Sequence, residues 1–202
     1  MNRPLSLPAR ASAILIAAAG AFALGLQSAI NENGVAENFV LLFRFFTIWS
    51  NFAAVLQLGW LASGRRVHPS ILAALATALT VVGSVYWTLL SADHHPVGLD
   101  VVTNQIFHSV VPAATVLWWL AFAERPASSL GALPVIMIPP LTYGAFAFVL
   151  GEATGFYAYF FLELPQLGWA QFLINNVGLA LFFALVGGIL LGLKALVTRP
   201  AR

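Results

Sequence analysis

The chain has 202 residues, of which 60% are hydrophobic and only 8% charged, and its mean hydropathy is +0.90. A soluble domain carries about 25% charged residues, so this composition excludes an ordinary soluble fold and points to an all-α, polytopic integral membrane protein. The net charge of +2 is scattered over short loops, which excludes a nucleic-acid patch, and the absence of cysteine excludes disulfides, thiolate metal sites and a cysteine nucleophile.

A spanning helix needs about 20 mostly apolar residues. Runs of that kind lie at about 11–30, 39–63, 69–91, 101–123, 131–150 and 169–197, giving one six-helix domain over residues 1–202. The first run has a rival reading: Arg3 and Arg10, an apolar stretch and Gln27-Ser28-Ala29 resemble a secretory signal with its cleavage site. The run from Ala11 to Leu26 is long for a signal core, so a retained first helix is expected. Between the fifth and sixth runs, Gly151 to Trp169 is rich in aromatics and reads as an interfacial or partly re-entrant segment.

Charge sets the expected topology. Arg3, Arg10, Arg65, Arg66, Arg125, Lys194, Arg199 and Arg202 all fall on one side of this six-span scheme, and Glu32, Glu37, Asp93, Asp100, Glu152 and Glu163 on the other. By the positive-inside rule both termini are expected to be cytoplasmic, in a protein of the cell membrane. Arg44 is the one basic residue left over, and Glu124 the one acidic residue on the basic side.

Polar residues inside the runs are the next signal, because lipid offers them no partners. Counted at about 1.5 Å per residue from the acidic ends, Thr47 and His108 lie at a common depth of roughly 12–14 Å. Tyr143, Ser84, Asn175 and Asn176 fall in the same layer. Arg44, Thr47 and Asn51 are spaced three and four apart, and Asn104 and His108 four apart, so each set is expected on one helix face. The other half of the bundle is apolar apart from Gln57, Thr77, Thr80 and Thr115. The expected picture is a pocket opening on the acidic side, floored by apolar packing.

Taken singly, these residues have plain structural uses. A threonine in a membrane helix ordinarily bonds back to a carbonyl of the preceding turn, and a neutral histidine or an asparagine can tie two helices together. Arg44 can snorkel to headgroups or bind a carboxylate. Taken together, they allow acyl transfer: Thr47 as nucleophile, His108 as the one strong base at its depth, and Asn51 or Asn104 as donors to an oxyanion. Ser50 is turned away from the face of Thr47 and Asn51 and is expected to be structural. His94 and His95 beside Asp93 show no H-x-x-x-H or H-E-x-x-H pattern, so neither a metal site nor any cofactor is expected.

Three stretches carry a family resemblance: "FRFFTIWSNFAAVLQ" in the second run, "NQIFHSVVP" in the fourth, and "FYAYFFLELPQLGW" followed by "NN". They resemble the bacterial six-helix Pr-six-Pr membrane proteins, which are similar in turn to the androgen-induced protein and ADTRP (FAR-17a-like) family. The specific matches are Thr47, Asn51 and Gln57 on one helix and His108 with Pro112 on another. The resemblance implies an intramembrane threonine hydrolase of fatty acid esters of hydroxy fatty acids, with Thr47 as nucleophile and His108 as general base. It implies a lipid or fatty acyl ester as partner and a bacterial inner-membrane setting. Arg44, Asn51, Asn104, Tyr143, Asn175 and Asn176 stand beside that pair as substrate or oxyanion candidates on the depth count alone. Tyr157-Ala158-Tyr159-Phe160-Phe161 departs from the family pattern, in which a Tyr-Pro pair is expected. The alternative in a different class is a non-catalytic binder of lipid or another small ligand, whose polar layer holds helices and ligand together.

Overall fold

The computed structural model describes residues 5–30 and 34–198, and every regular element among them is helical. Of the charged residues used above to set topology, Arg3, Glu32, Arg199 and Arg202 lie outside the described residues. The elements are α1 (Leu7–Ala29), α2 (Val35–Leu42), α3 (Phe46–Ala62), α4 (Pro69–Val85), α5 (Leu99–Gln105), α6 (Val111–Phe122), α7 (Ser129–Thr154) and α8 (Leu164–Val197). A π turn at Tyr86–Leu90 extends α4, and another at Ile106–Val110 joins α5 to α6 in one continuous helix. Five helices are long and apolar enough to cross a membrane, and six if α2 and α3 count as one span.

The second expected span is therefore corrected: it is broken at Phe43–Phe45, where α2 and α3 meet at 104°. A break at membrane depth is tolerated only if its backbone groups find partners within the protein. The N–H groups of Phe43, Arg44 and Phe45 donate to the carbonyls of Val40, Leu41 and Leu42, each at 3.1 Å. The carbonyl of Phe43 accepts from Trp49 Nε1 at 2.7 Å, that of Arg44 from the Tyr143 hydroxyl at 2.8 Å, and the Phe46 N–H donates to the Tyr159 hydroxyl at 3.0 Å. Side chains from α3, α7 and the α7–α8 segment thus supply what a straight helix would supply itself.

The π turn at Ile106–Val110 has a local cause. Val111 N–H donates five residues back, to Ile106 O, and Pro112 has no N–H to give. The Phe107 carbonyl is left without a helical donor, and Asn51 Nδ2 on α3 reaches it at 3.1 Å.

α4 is the centre of the bundle. It is buried almost all round, with Ala73, Ala74, Ala76 and Ala78 keeping its neighbours close. It packs against α6, α7 and α8, while α1 lies along α3. Leu58, Leu61, Leu79, Trp119 and Ile136 fill the core of the half nearer the basic loops. Lys194, expected among the basic residues of that end, is instead fully buried, and its ammonium donates at 2.8 Å to the carbonyls of both Trp119 and Leu120. It closes the last turn of α6, sharing the Trp119 carbonyl with the Ala123 N–H and supplying the donor that Leu120 lacks, and a cation there suits the helix dipole. Lys194→Met keeps the stem but leaves the Leu120 carbonyl without its donor, while that of Trp119 keeps the Ala123 N–H; we expect a loss of about 1–3 kcal/mol, read as a lowered thermal midpoint in detergent.

At the other end, α7 stops where Gly155 takes a left-handed φ of 74°, and α8 is kinked at Gly168, φ 68°. Between these glycines the aromatic segment folds back over the bundle, with a 3-10 turn at Phe160–Leu162.

Candidate functional site

Thr47 occupies the first turn of α3, directly after the break, and faces the π turn that carries His108. Thr47 Oγ1 and His108 Nε2 are 3.4 Å apart, a loose contact of the kind that catalytic pairs show before substrate tightens them. The other ring nitrogen, Nδ1, lies 3.0 Å from the Asn104 carbonyl. A carbonyl can only accept, so Nδ1 carries the proton, and the Nε2 lone pair is left facing the threonine. Tyr86 stacks on the imidazole with ring centroids 3.7 Å apart and planes within 16°. The ring is held in place from two sides.

Two cavities meet at this point. One, of about 480 Å³, lies among α1, the π turns and the α4–α5 loop, lined by His108, Asn104, Asp93, His94 and Asp100 among others. The second, of about 220 Å³, lies between α4, α7 and α8, and its walls are mostly Val, Leu, Ala and Phe. Thr47, Leu90 and Tyr159 line both. The threonine hydroxyl therefore stands in the wall between a more polar compartment, which holds the carboxylates and histidines, and a more apolar one.

Tyr159 is the functional side chain that sequence reasoning missed. It was grouped with the interfacial aromatics, yet its ring stacks on Phe161 and its hydroxyl accepts from Phe46 N–H beside Thr47 and Tyr143. Removal from water pushes its phenol above the ordinary range, so it remains a protonated donor. Tyr86 was missed too. Only the run of aromatics around each residue could have hinted at either.

The other sequence candidates separate clearly. Arg44 does not share a helix face with Thr47 and Asn51, because it sits in the break; its guanidinium lies 4.8 Å from the ring centroid of Phe156. Its part in the site is its carbonyl, held by Tyr143, which also lines the apolar cavity. Asn51 is fully buried, and its amide nitrogen is committed to the carbonyls of Thr47 at 2.8 Å and Phe107 at 3.1 Å. That leaves it no hydrogen for an oxyanion, and it becomes the tie between α3 beside Thr47 and the π turn that carries His108. Asn51→Leu strands the Phe107 carbonyl, while that of Thr47 keeps its helical N–H donor; we expect a loss of about 1–3 kcal/mol, visible as an earlier melting transition by tryptophan fluorescence.

Asn104 lines the polar cavity and has a buried Oδ1 with no partner. Asn175 holds the folded-back segment through Phe161 O at 2.9 Å, and Asn176 lines the apolar cavity while bonding to Phe172 O at 2.8 Å. Ser50 is buried and unpartnered, and Ser84 lines neither cavity. His94 lies in the α4–α5 loop, where it meets the Tyr86 hydroxyl at 3.1 Å and lines the polar cavity. Among the described residues no three His, Asp or Glu side chains converge in a way that could hold a metal ion.

The chain matches no protein-family profile, no curated protein and no solved structure.

Proposed function

We propose that this protein is an intramembrane lipid-ester hydrolase with Thr47 as nucleophile and His108 as general base. The observation that carries the reading is the directed pair: an unprotonated Nε2 aimed at a threonine hydroxyl 3.4 Å away, with Nδ1 fixed by a backbone carbonyl. A hydroxyl becomes reactive only beside a base held in that tautomer. The family resemblance falls on the same two residues and supports the same roles.

The proposed chemistry runs in two halves. Thr47 Oγ1 attacks the ester carbonyl as His108 Nε2 takes its proton. The tetrahedral intermediate collapses, the bond to the alcohol oxygen breaks, and the imidazolium returns the proton to that oxygen. Water then attacks the acyl-threonine, with His108 again accepting and returning the proton, and a fatty acid leaves. The Tyr159 hydroxyl is the donor best placed for the developing oxyanion, and the positive end of the α3 dipole lies at the same spot.

The test is a screen of long-chain acyl esters with the purified full-length protein, alongside labelling by a fluorophosphonate probe. Turnover and labelling that disappear in Thr47→Ala are expected. A wild-type protein that is never labelled and hydrolyses no fatty ester sinks the proposal.

A further inference from the structure

The two compartments differ in more than polarity, and their difference constrains the substrate. His108 lines only the polar cavity. The base must hand its proton to the leaving oxygen, so the alcohol portion of an ester held at Thr47 belongs on the side of His108. The acyl chain then has one direction left, into the cavity walled by Val81, Val85, Leu179 and Phe183. An alkyl chain there leaves water for apolar surface.

The polar compartment is rich in acceptors. Asp93 and Asp100 are both in its walls, and Asn104 adds a buried carbonyl oxygen with no partner. Asp100 already accepts from Gln27 Nε2 at 3.0 Å, and the Thr103 hydroxyl donates to the Gln27 carbonyl oxygen, so the neighbouring amide is oriented by the carboxylate. Among the described residues no Lys or Arg lines this cavity. Arg44, the nearest basic residue in sequence to Thr47, lies against Phe156 instead. A negative charge brought into such a site meets like charges and no Lys or Arg, whereas a cation finds carboxylates and a hydroxyl hydrogen finds acceptor oxygens.

Resting on the hydrolase reading above, we infer that the ester lies across the Thr47 wall, acyl chain in the apolar cavity, and that its alcohol portion is a cation or a neutral hydrogen-bond donor and not an anion. This departs from the resemblance: a fatty acid ester of a hydroxy fatty acid carries a carboxylate on its alcohol portion. A phosphorylated alcohol is disfavoured for the same reason.

The experiment compares three esters with one acyl group, palmitoylcholine, monopalmitoylglycerol and the palmitoyl ester of hydroxystearic acid, in a non-ionic detergent. The choline and glycerol esters should exceed the carboxylated ester in kcat/KM by at least about tenfold. Asp93→Asn combined with Asp100→Asn should bring all three within about threefold, since the repulsion of the carboxylated ester and the attraction of the choline ester are removed together. Should the double variant fail to fold, Asp93→Asn alone must narrow the spread. A carboxylated ester turned over as fast as the others, or a spread untouched by these substitutions, overturns the inference while leaving the hydrolase reading intact. Binding of the three non-hydrolysable ether analogues to Thr47→Ala separates the two ideas from the other direction. The same order in binding, with no turnover of any ester by wild type, upholds the compartment assignment and refutes the hydrolase. No order in binding overturns the assignment.

Discussion

Thr47→Ala and His108→Ala should each lower ester hydrolysis by about a thousandfold or more, and the double variant should be no slower than either single one. The non-additivity follows from the division of labour: a base without its hydroxyl has nothing to activate, and the hydroxyl alone is a poor nucleophile. Neither substitution should unfold the protein. Thr47 Oγ1 pairs with His108 at a long 3.4 Å and lies beside the Tyr159 hydroxyl, so about 1 kcal/mol of stability is at stake in Thr47→Ala. Thr47→Ser retains the reactive oxygen and should keep both fluorophosphonate labelling and measurable turnover. Rates from progress curves, set beside thermal midpoints of the same preparations, check all of this. An alanine variant that melts normally and still hydrolyses ester at the wild-type rate is the result that would remove Thr47 from the chemistry.

Tyr159→Phe should cut kcat by about a hundredfold while changing KM little. The ring, stacked on Phe161 with centroids 5.2 Å apart, is preserved, so the folded-back segment keeps its packing. What disappears is the hydroxyl beside Thr47, a group whose interaction with the substrate oxygen strengthens as that oxygen becomes charged. The Phe46 N–H also loses its partner, so a stability loss of about 1–3 kcal/mol accompanies the kinetic effect. The two are separable: Tyr143→Phe, which strands the Arg44 carbonyl instead, should cost similar stability through the same break and much less of kcat. Equal kinetic losses from both would make Tyr159 a structural residue only.

The number and order of the apolar runs were legible in the sequence because hydropathy over about 20 residues reports what lipid demands, and the ends of α4 and of the joined α5–α6 helix fall within two residues of expectation. The break at Phe43–Phe45 was not legible. Those residues include neither glycine nor proline, the usual markers of an interrupted helix, and the bend is held by Trp49, Tyr143 and Tyr159 from elsewhere in the chain. Reading a straight helix through it put Arg44 on the face of Thr47, and that error has a single cause. Spacing did join Asn104 to His108, because four residues on one helix is a local relation; the structure refines it to a bond from the ring to the Asn104 backbone carbonyl. The burial of Lys194 was not legible either, because the α6 carbonyls that hold it lie 75 and 74 residues away in the chain.

The partners that hold the α2–α3 break are far apart along the chain: the Arg44 carbonyl meets Tyr143 across 99 residues, and the Phe46 N–H meets Tyr159 across 113. Contacts of such separation form late, since the intervening chain must be placed first. During synthesis the second apolar run therefore leaves the ribosome long before its bend can be secured. Thr47 takes up its surroundings only when α7 is in place and the aromatic segment has folded back over it. Biogenesis thus has a built-in delay, and a chain stalled before α7 would hold a threonine and a histidine without the arrangement that relates them to a substrate.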